Sequence, residues 1–441
     1  MDQNRKIKLF FAALLGAHAC FIIYGSMVPF GFEYMPLSDA WDRFRTILTS
    51  PVGRFSRANL LANILIGIPG PFLFLAVFHN NKNRMILVLI PAALLYSAAL
   101  ACTAEYTQLF LPRRFTMLSD ILAQTLGGAI GAVIWLWLGP ESRAMLKALI
   151  FRDSQIRIES LIFWGYMVVM LLFHALPLDM TARLGVLYAQ LEDGRIVLVP
   201  FSNWSGISSV INSLQTIFIW MPMGWFLVKF RSWSLFAVFL ATLMVPGVFE
   251  GMQIFVLSRT TDTTDIILGA AGGIFGGAAG ACGSSWKIAP AAGSGKIIIF
   301  AGLLFTLWIF LVVQAFWYPF TFNFDKHFLI KSIRNTGLVP LQMYVGKNYL
   351  RSAYNILEIF IYFIPLGVIF SSFITRWSNH RNTRVMTGVF FITACLTALV
   401  IEFGQVFIPG RYPDITDMMI MITGALLGHS VTNMAWKRQI K

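Results

Sequence analysis

The chain of 441 residues is 57% hydrophobic and only 12% charged, with 40 Phe, 13 Trp and a formal net charge of +14. A soluble domain carries about 25% charged residues, so this composition excludes an ordinary soluble fold. The positive charge forms no basic tract with interleaved aromatics, which excludes nucleic acid as a partner; it reads as topology signal and as a match to anionic membrane lipid.

In chain order, Arg5, Lys6 and Lys8 precede an apolar stretch from Leu9 to Tyr24, the layout of a signal peptide's first two regions. Ala17-His18-Ala19-Cys20 places a bulky polar His where a lipobox needs a small residue, so the stretch reads as an uncleaved first helix. The apolar segments lie near 9–28, 58–78, 85–110 and 118–138, then 157–177, 207–228, 233–257 and 263–282, then 297–318, 352–374, 385–408 and 415–435. Runs of this length and composition predict membrane helices. The predicted fold is an all-α polytopic membrane protein of about 12 transmembrane helices in three parallel four-helix repeats, spanning 1–150, 151–290 and 291–441.

Further landmarks recur. The first helix of each group ends near Pro29, Pro177 or Pro319. The second carries an Asn ahead of a proline: Asn59 and Pro69, Asn212 and Pro222, Asn355 and Pro365. Such a proline kinks a membrane helix, and neighbours must satisfy the carbonyl it frees. The connections after the first helices are rich in aromatics, with Phe30, Phe32, Tyr34 and Trp41 in one and Phe316, Trp317, Tyr318 and Phe320 in another. These suit the headgroup belt. In the second repeat, Tyr188 to Phe201 alternates around Asp193-Gly194, which predicts a β-hairpin on the membrane. Ala289 to Lys296 is expected to join repeats two and three.

The N-terminus, the 79–84, 139–157, 229–233, 283–296 and 375–384 connections and the C-terminal tail hold 19 of the 34 Lys and Arg, all on one side of a twelve-span chain. Both termini are therefore expected to be cytoplasmic. An even number of spans per repeat makes the repeats parallel rather than inverted. Cys20, Cys102, Cys282 and Cys395 stand singly in apolar stretches without CxxC or His-paired spacing. They predict neither a disulfide framework nor a metal site, and no cofactor is expected. His18 and His174 also lie in apolar segments and read as core histidines.

The most informative feature is a charged set that recurs three times. It is Glu105, Gln108, Arg114, Asp120, Gly127 and Gly131, then Glu250, Gln253, Arg259, Asp265, Gly272 and Gly276, then Glu402, Gln405, Arg411, Asp417, Gly424 and Gly428. The spacing is the same in every copy, which marks a threefold internal repeat. The topology puts all three sets on the far side of the membrane, with Glu and Gln ending the third helix, Arg in a tight connection and Asp opening the fourth helix.

Two readings stay open. In one, the set is a structural latch, with Arg114 bridging Glu105 and Asp120 and its counterparts doing the same. Ser119, Thr264 and Thr416 would cap the fourth helices, and the paired glycines would let those helices approach a neighbour closely. In the other, one copy binds or processes an anionic headgroup, with Arg on phosphate and Glu or Asp as base. The copies differ at Arg113, Asp262 and Asp414, which makes those residues candidates too. Beyond these Glu, Arg and Asp clusters there is no recognisable catalytic constellation.

ExxQ, then Arg, then Asp, then GxxxG, preceded by a helix ending in Ile364-Pro365-Leu366-Gly367, resembles the VanZ-like proteins, and the resemblance covers the chain three times over. The family tends to carry Asn four residues after the Asp, where this chain has Gln124, Gly269 and Met421. It tends to carry Asn six residues before the helix-two proline, which only Asn63 keeps, and Met117 stands where the other copies have Asp262 and Asp414. The resemblance implies a bacterial cytoplasmic membrane protein associated with glycopeptide (teicoplanin-like) resistance or with exopolysaccharide and cell-envelope functions.

The leading expectation is an envelope protein that binds a membrane lipid, a lipid-linked glycan or a glycopeptide at its far face, with envelope-biosynthesis proteins as possible partners. Two alternatives are a membrane enzyme acting on a lipid-linked phosphate and a transporter for lipid or small solute. A transporter needs polar residues within the spans, and the sequence offers Asn63, Gln124, Gln215, Thr216 and Glu358.

Overall fold

The computed structural model describes residues 3–51, 57–79, 83–112, 114–151, 158–285, 295–344, 349–377 and 383–439. Most of the expected 289–296 joint lies outside them. The chain divides into two compact units, Met1–Ser160 with Leu341–Leu350, and Leu161–Pro340 with Arg351–Lys441.

The first unit holds α1 (Gln3–Met27), α2 (Leu37–Thr49), α3 (Arg57–Gly67), α4 (Pro69–Phe78), α5 (Asn83–Gln108) and α6 (Leu118–Phe151). The second unit begins with α7 (Ile158–Ala175), α8 (Leu184–Glu192), β1 (Ile196–Val197), α9 (Gly206–Arg231), α10 (Leu235–Gln253), β2 (Thr261–Asp262) and α11 (Thr263–Ser285). It continues with α12 (Gly295–Trp317), α13 (Lys326–Arg334), α14 (Tyr349–Trp377), α15 (Thr383–Gln405) and α16 (Ile415–Gln439). Among the described residues, ten helices are long and apolar enough to cross a membrane, with α3 and α4 counted as one span. Two shorter apolar helices, Ile162–Ala175 and Gly302–Trp317, stand where the first helices of repeats two and three are expected. The protein is an all-α, multi-pass membrane protein.

The aromatic connections are not plain loops. Each repeat folds a short helix there: α2, α8 and α13. The expected β-hairpin at Tyr188 to Phe201 is not formed. Asp193-Gly194 instead stops α8, with Gly194 at φ 68° and the Arg195 amide donating back to Gln190 O at 2.9 Å. A glycine in the left-handed region ends a helix as readily as it turns a hairpin. The chain then pairs in parallel with a distant segment, Ile196 with Thr261 and Val197 with Asp262. Repeat three has a related bridge between Gly337 and Asp414.

Lipid tails are as apolar as leucine, so membrane helices associate through close packing and polar bonds. The recurrent glycines provide the first. A Cβ on Gly127 or Gly131 of α6 would strike the carbonyls of Ile64 and Ile68. One on Gly272 or Gly276 of α11 would strike those of Ile217 and Met221, and one on Gly428 of α16 would strike that of Ile364. The contact is reciprocal, because Gly67, Gly224 and Gly367 face the backbone of Gln124, Gly273 and Ala425. Polar bonds stitch the same helix pairs: Asn59 Nδ2 donates to Asp120 Oδ1 at 2.9 Å, Gln124 Nε2 to Asn63 Oδ1 at 3.0 Å and Thr216 Oγ1 to Asp265 Oδ1 at 3.4 Å.

Candidate functional site

The third and fourth spanning helices of each repeat meet in a tight connection, and the recurrent Glu closes it. Glu105 Oε2 accepts the Met117 amide at 3.0 Å, Glu250 Oε2 that of Asp262 at 3.2 Å and Glu402 Oε2 that of Asp414 at 2.8 Å. The Gln one turn later donates to the other oxygen, at 3.2 Å from Gln108 to Glu105 and at 3.2 Å from Gln405 to Glu402. Gln253 is buried at the corresponding place. Exposures of 2%, 3% and 5% put Glu105, Glu250 and Glu402 out of reach of an outside ligand.

The arginines reach carbonyls at the end of the first helix of their repeats. Arg114 donates to Gly25 O at 2.7 Å and Val28 O at 3.3 Å. Arg259 donates to Phe173 O at 2.6 Å and Leu176 O at 3.2 Å, and Arg411 to Ala315 O at 3.5 Å. Each guanidinium therefore caps the C-terminal end of its repeat's first helix, where backbone carbonyls lack intrahelical donors and carry the negative end of the dipole. Pro29, Pro177 and Pro319 follow the ends of these helices, each after a cis peptide bond and with a residue at positive φ behind it.

The acids have separate tasks. Asp262 Oδ1 accepts the Thr264 amide at 2.7 Å, and Asp414 Oδ1 accepts the Thr416 amide at 2.7 Å. These aspartates, rather than Thr264 and Thr416, are the N-caps of α11 and α16. Thr264 Oγ1 instead accepts the Phe201 amide at 2.8 Å. Ser119 Oγ lies 3.3 Å from Asp120 Oδ1. Asp120 and Asp265 face the second helix, as described above, and Asp417 sits in the first turn of α16. Arg113 lies outside the described residues.

Sequence reasoning passed over a Phe five residues after each Glu. Its carbonyl accepts the amide of the residue four after the cis proline: Glu33 to Phe110 O at 2.9 Å, Thr181 to Phe255 O at 2.8 Å and Asn323 to Phe407 O at 2.7 Å. The repeated Phe is visible in the sequence, but nothing there marks its carbonyl as the receiving group.

Two of these junctions open into grooves. In repeat one, a groove of about 440 Å³ is lined by Met27, Phe32, Glu33, Tyr34, Thr107 and Phe110, among others. In repeat three, one of about 430 Å³ is lined entirely by apolar and aromatic residues, including Trp317, Phe322, Phe324, Phe403, Gly404 and Phe407. Arg411 belongs to the same repeat as the second groove but is not among its lining residues. It is exposed, whereas Arg114 and Arg259 are half-buried.

The model of the VanZ/LLP1 family matches residues 11–139, 163–280 and 301–436. No curated protein matches the chain. No solved structure matches it. Three matches in series cover most of the length and coincide with the three copies of the Glu-Gln-Arg-Asp connection, and the chain therefore belongs to the VanZ/LLP1 family as three tandem VanZ-like repeats.

Proposed function

We propose that this membrane protein binds the headgroup of a lipid or lipid-linked glycan at its extracytoplasmic face, through repeat three. The observation that carries the reading is the inequality of the three arginines. Arg259 is held by two first-helix carbonyls, by Tyr354 Oη at 3.4 Å and by the faces of Phe173 and Tyr354. Among the described residues Arg411 has one bond of 3.5 Å, and it is exposed in the repeat that carries the aromatic groove. A guanidinium suits phosphate or carboxylate recognition, and the groove suits an acyl or polyprenyl chain. Both termini are cytoplasmic in this reading, from the distribution of Lys and Arg. Its setting is glycopeptide tolerance or envelope polysaccharide assembly, as the family resemblance implies.

The test is lipid retention by the purified full chain, read by native mass spectrometry. Arg411→Gln is expected to lower retained lipid while leaving the thermal midpoint near that of the parent. Arg114→Gln and Arg259→Gln are expected to lower the midpoint. Unchanged lipid retention in Arg411→Gln sinks the reading.

A further inference from the structure

The short helices that follow the cis prolines differ in charge. α2 sets Asp39 and Asp42 against Arg43 and Arg45, and α8 carries Glu192 and no base. α13 carries Lys326, His327, Lys331 and Arg334 and no acid. Asp325, the one acid between Tyr318 and Tyr344, caps its start, with Oδ2 accepting the Phe328 amide at 3.0 Å. The acids of the adjoining connection are occupied as well: Glu402 and Asp414 are buried, the first accepting the Asp414 amide and the second the Thr416 amide and hydroxyl. Asp417 is half-buried in the first turn of α16. Lys326, Lys331 and Arg334 are exposed, and among the described residues none of their side chains makes a hydrogen bond or ion pair. The helix has three faces. Phe328 and Ser332, four apart, turn inward, and Ser332 is buried. Ile330 and Ile333, three apart, share a second face and are 46% and 60% exposed. His327, Lys331 and Arg334 share the face beside it.

We infer that α13 lies in the membrane interface and docks on anionic lipid, with Ile330 and Ile333 in the acyl boundary and Lys326, Lys331 and Arg334 on headgroups of net negative charge. The inference goes beyond the reading above, because neither Arg411 nor the aromatic groove takes part in it. An exposed apolar face beside a basic one is the build of a helix that lies in a bilayer surface. A bilayer is at hand, since apolar helices of the membrane type, α12 and α14, precede and follow α13. Lys326 opens the helix on the side of the isoleucines, and its long stem lets the ammonium reach the headgroups from there. The bases spread over about 12 Å of helix, which fits a surface of several headgroups better than one bound molecule. The three bases face a single acid that is engaged in capping, so the charge of the surface that completes them is negative. Each base near such a surface is worth about fivefold in binding. α2 is the internal comparison: it also exposes apolar residues, Leu37 and Trp41, but its charges balance, so it has no reason to prefer an anionic lipid.

The experiment places a photocrosslinker on the helix. The full chain carrying Ile330→benzoylphenylalanine is reconstituted into equimolar, acyl-matched phosphatidylglycerol and phosphatidylcholine, and the lipid adduct is identified by the mass of the peptide. Phosphatidylglycerol adducts are expected to exceed phosphatidylcholine adducts by about fivefold or more, and the ratio is expected to fall toward one as salt rises to about 1 M. Trp41→benzoylphenylalanine on α2 is expected to capture the two lipids about equally. Adding Lys326→Gln, Lys331→Gln and Arg334→Gln together is expected to remove the preference at Ile330 and to leave the thermal midpoint unchanged, since glutamine keeps the helix propensity of exposed positions. Lys326→Arg, Lys331→Arg and Arg334→Lys together keep the charge and are expected to keep the preference. Adducts in the proportion of the vesicle in the parent, or a preference that survives the three glutamines, overturn the inference. So does the absence of any lipid adduct at Ile330 while a crosslinker at Leu396, an exposed position within a span, captures lipid. Arg411→Gln is expected to leave the ratio at Ile330 as it is; a ratio that follows Arg411 instead of the three bases assigns the anionic lipid to the headgroup site and removes α13 from it.

Discussion

The hydroxyl of Tyr166 donates to the carbonyl of Ile219 at 2.7 Å, three residues before Pro222. His18 Nε2 stands 3.0 Å from Ile66 O, three residues before Pro69, and Trp308 Nε1 donates to Tyr362 O at 2.8 Å, three residues before Pro365. All three donors lie eleven residues before the proline that ends their own helix. The first helix of every repeat thus supplies a donor to the turn that the second helix's proline opens, which is how a proline is tolerated in a bilayer. Tyr166→Phe removes only the hydroxyl. It is expected to cost about 1 kcal/mol, seen as a lower thermal midpoint in detergent with unchanged helix content. An unchanged midpoint would mean that Ile219 O has another donor.

That triple shows where sequence reading stops. The prolines announce that a carbonyl needs a partner, but His, Tyr and Trp share no signature beyond a polar hydrogen on a ring. The arginine partners escaped for a similar reason: Gly25 O, Phe173 O and Ala315 O are backbone atoms that no residue type marks. Asp193-Gly194 was ambiguous because one left-handed glycine serves a hairpin and a helix stop alike. The parallel pairing of Ile196 with Thr261 is too distant in sequence for any local pattern to signal it. What periodicity and spacing did carry were the spans, the glycine contacts of α6, α11 and α16, and the place of the Glu and Gln at the end of the third helix.

The Glu-to-amide bond makes a graded prediction. Glu402→Ala strands the buried amide of Asp414 and the Gln405 side chain, and is expected to cost about 3 kcal/mol or more in total. Glu402→Gln keeps an oxygen for the amide, and Gln405 can turn its own oxygen toward the new donor. Its expected cost is about 1 kcal/mol. The same order is expected for Glu105. Thermal melting of the purified variants checks it, and a Gln variant as damaged as the Ala variant would indicate that the charge itself is required.

Arg259 and Arg411 occupy the same position in their repeats but differ in how firmly they are held. Lysine has no fork, so Arg259→Lys cannot reach Phe173 O and Leu176 O together or cover the Tyr354 ring as a plane. It is expected to lose about 2 kcal/mol. Arg411→Lys gives up one long bond on an exposed side chain, and its expected effect is within about 0.5 kcal/mol. Comparing the two midpoints tests the assignment, and equal losses would count against it.

The glycines differ in the same measurable way. Alanine at Gly131, Gly276 or Gly428 pushes a methyl into a backbone carbonyl of the second helix, and each change is expected to cost about 1–3 kcal/mol. At Gly424 the nearest atom to a new Cβ is the Phe363 Cβ at 3.1 Å, a side-chain contact rather than backbone. There the gain of about 1 kcal/mol in helix propensity offsets the crowding. Gly424→Ala is therefore expected to fold with near-parental stability while the other three lose yield.

Gly404 gives the sharpest test of the groove in repeat three. Thr107 and Met252 stand at the same offset in the other copies; only Gly404 leaves room for an indole, and a Cβ there would collide with the Trp317 ring. Trp317 Nε1 donates to Ile401 O at 2.9 Å, which holds the ring flat as a wall of the groove. Gly404→Ala is expected to expel the indole, break that bond and reshape the groove without touching the capping arginines. Lipid retention should fall several-fold, while the loss of stability stays at about 1–2 kcal/mol. A folded Gly404→Ala protein that retains lipid as the parent does would show that the aromatic groove is not where the ligand's apolar chain lies. The Arg411 site would then need another wall.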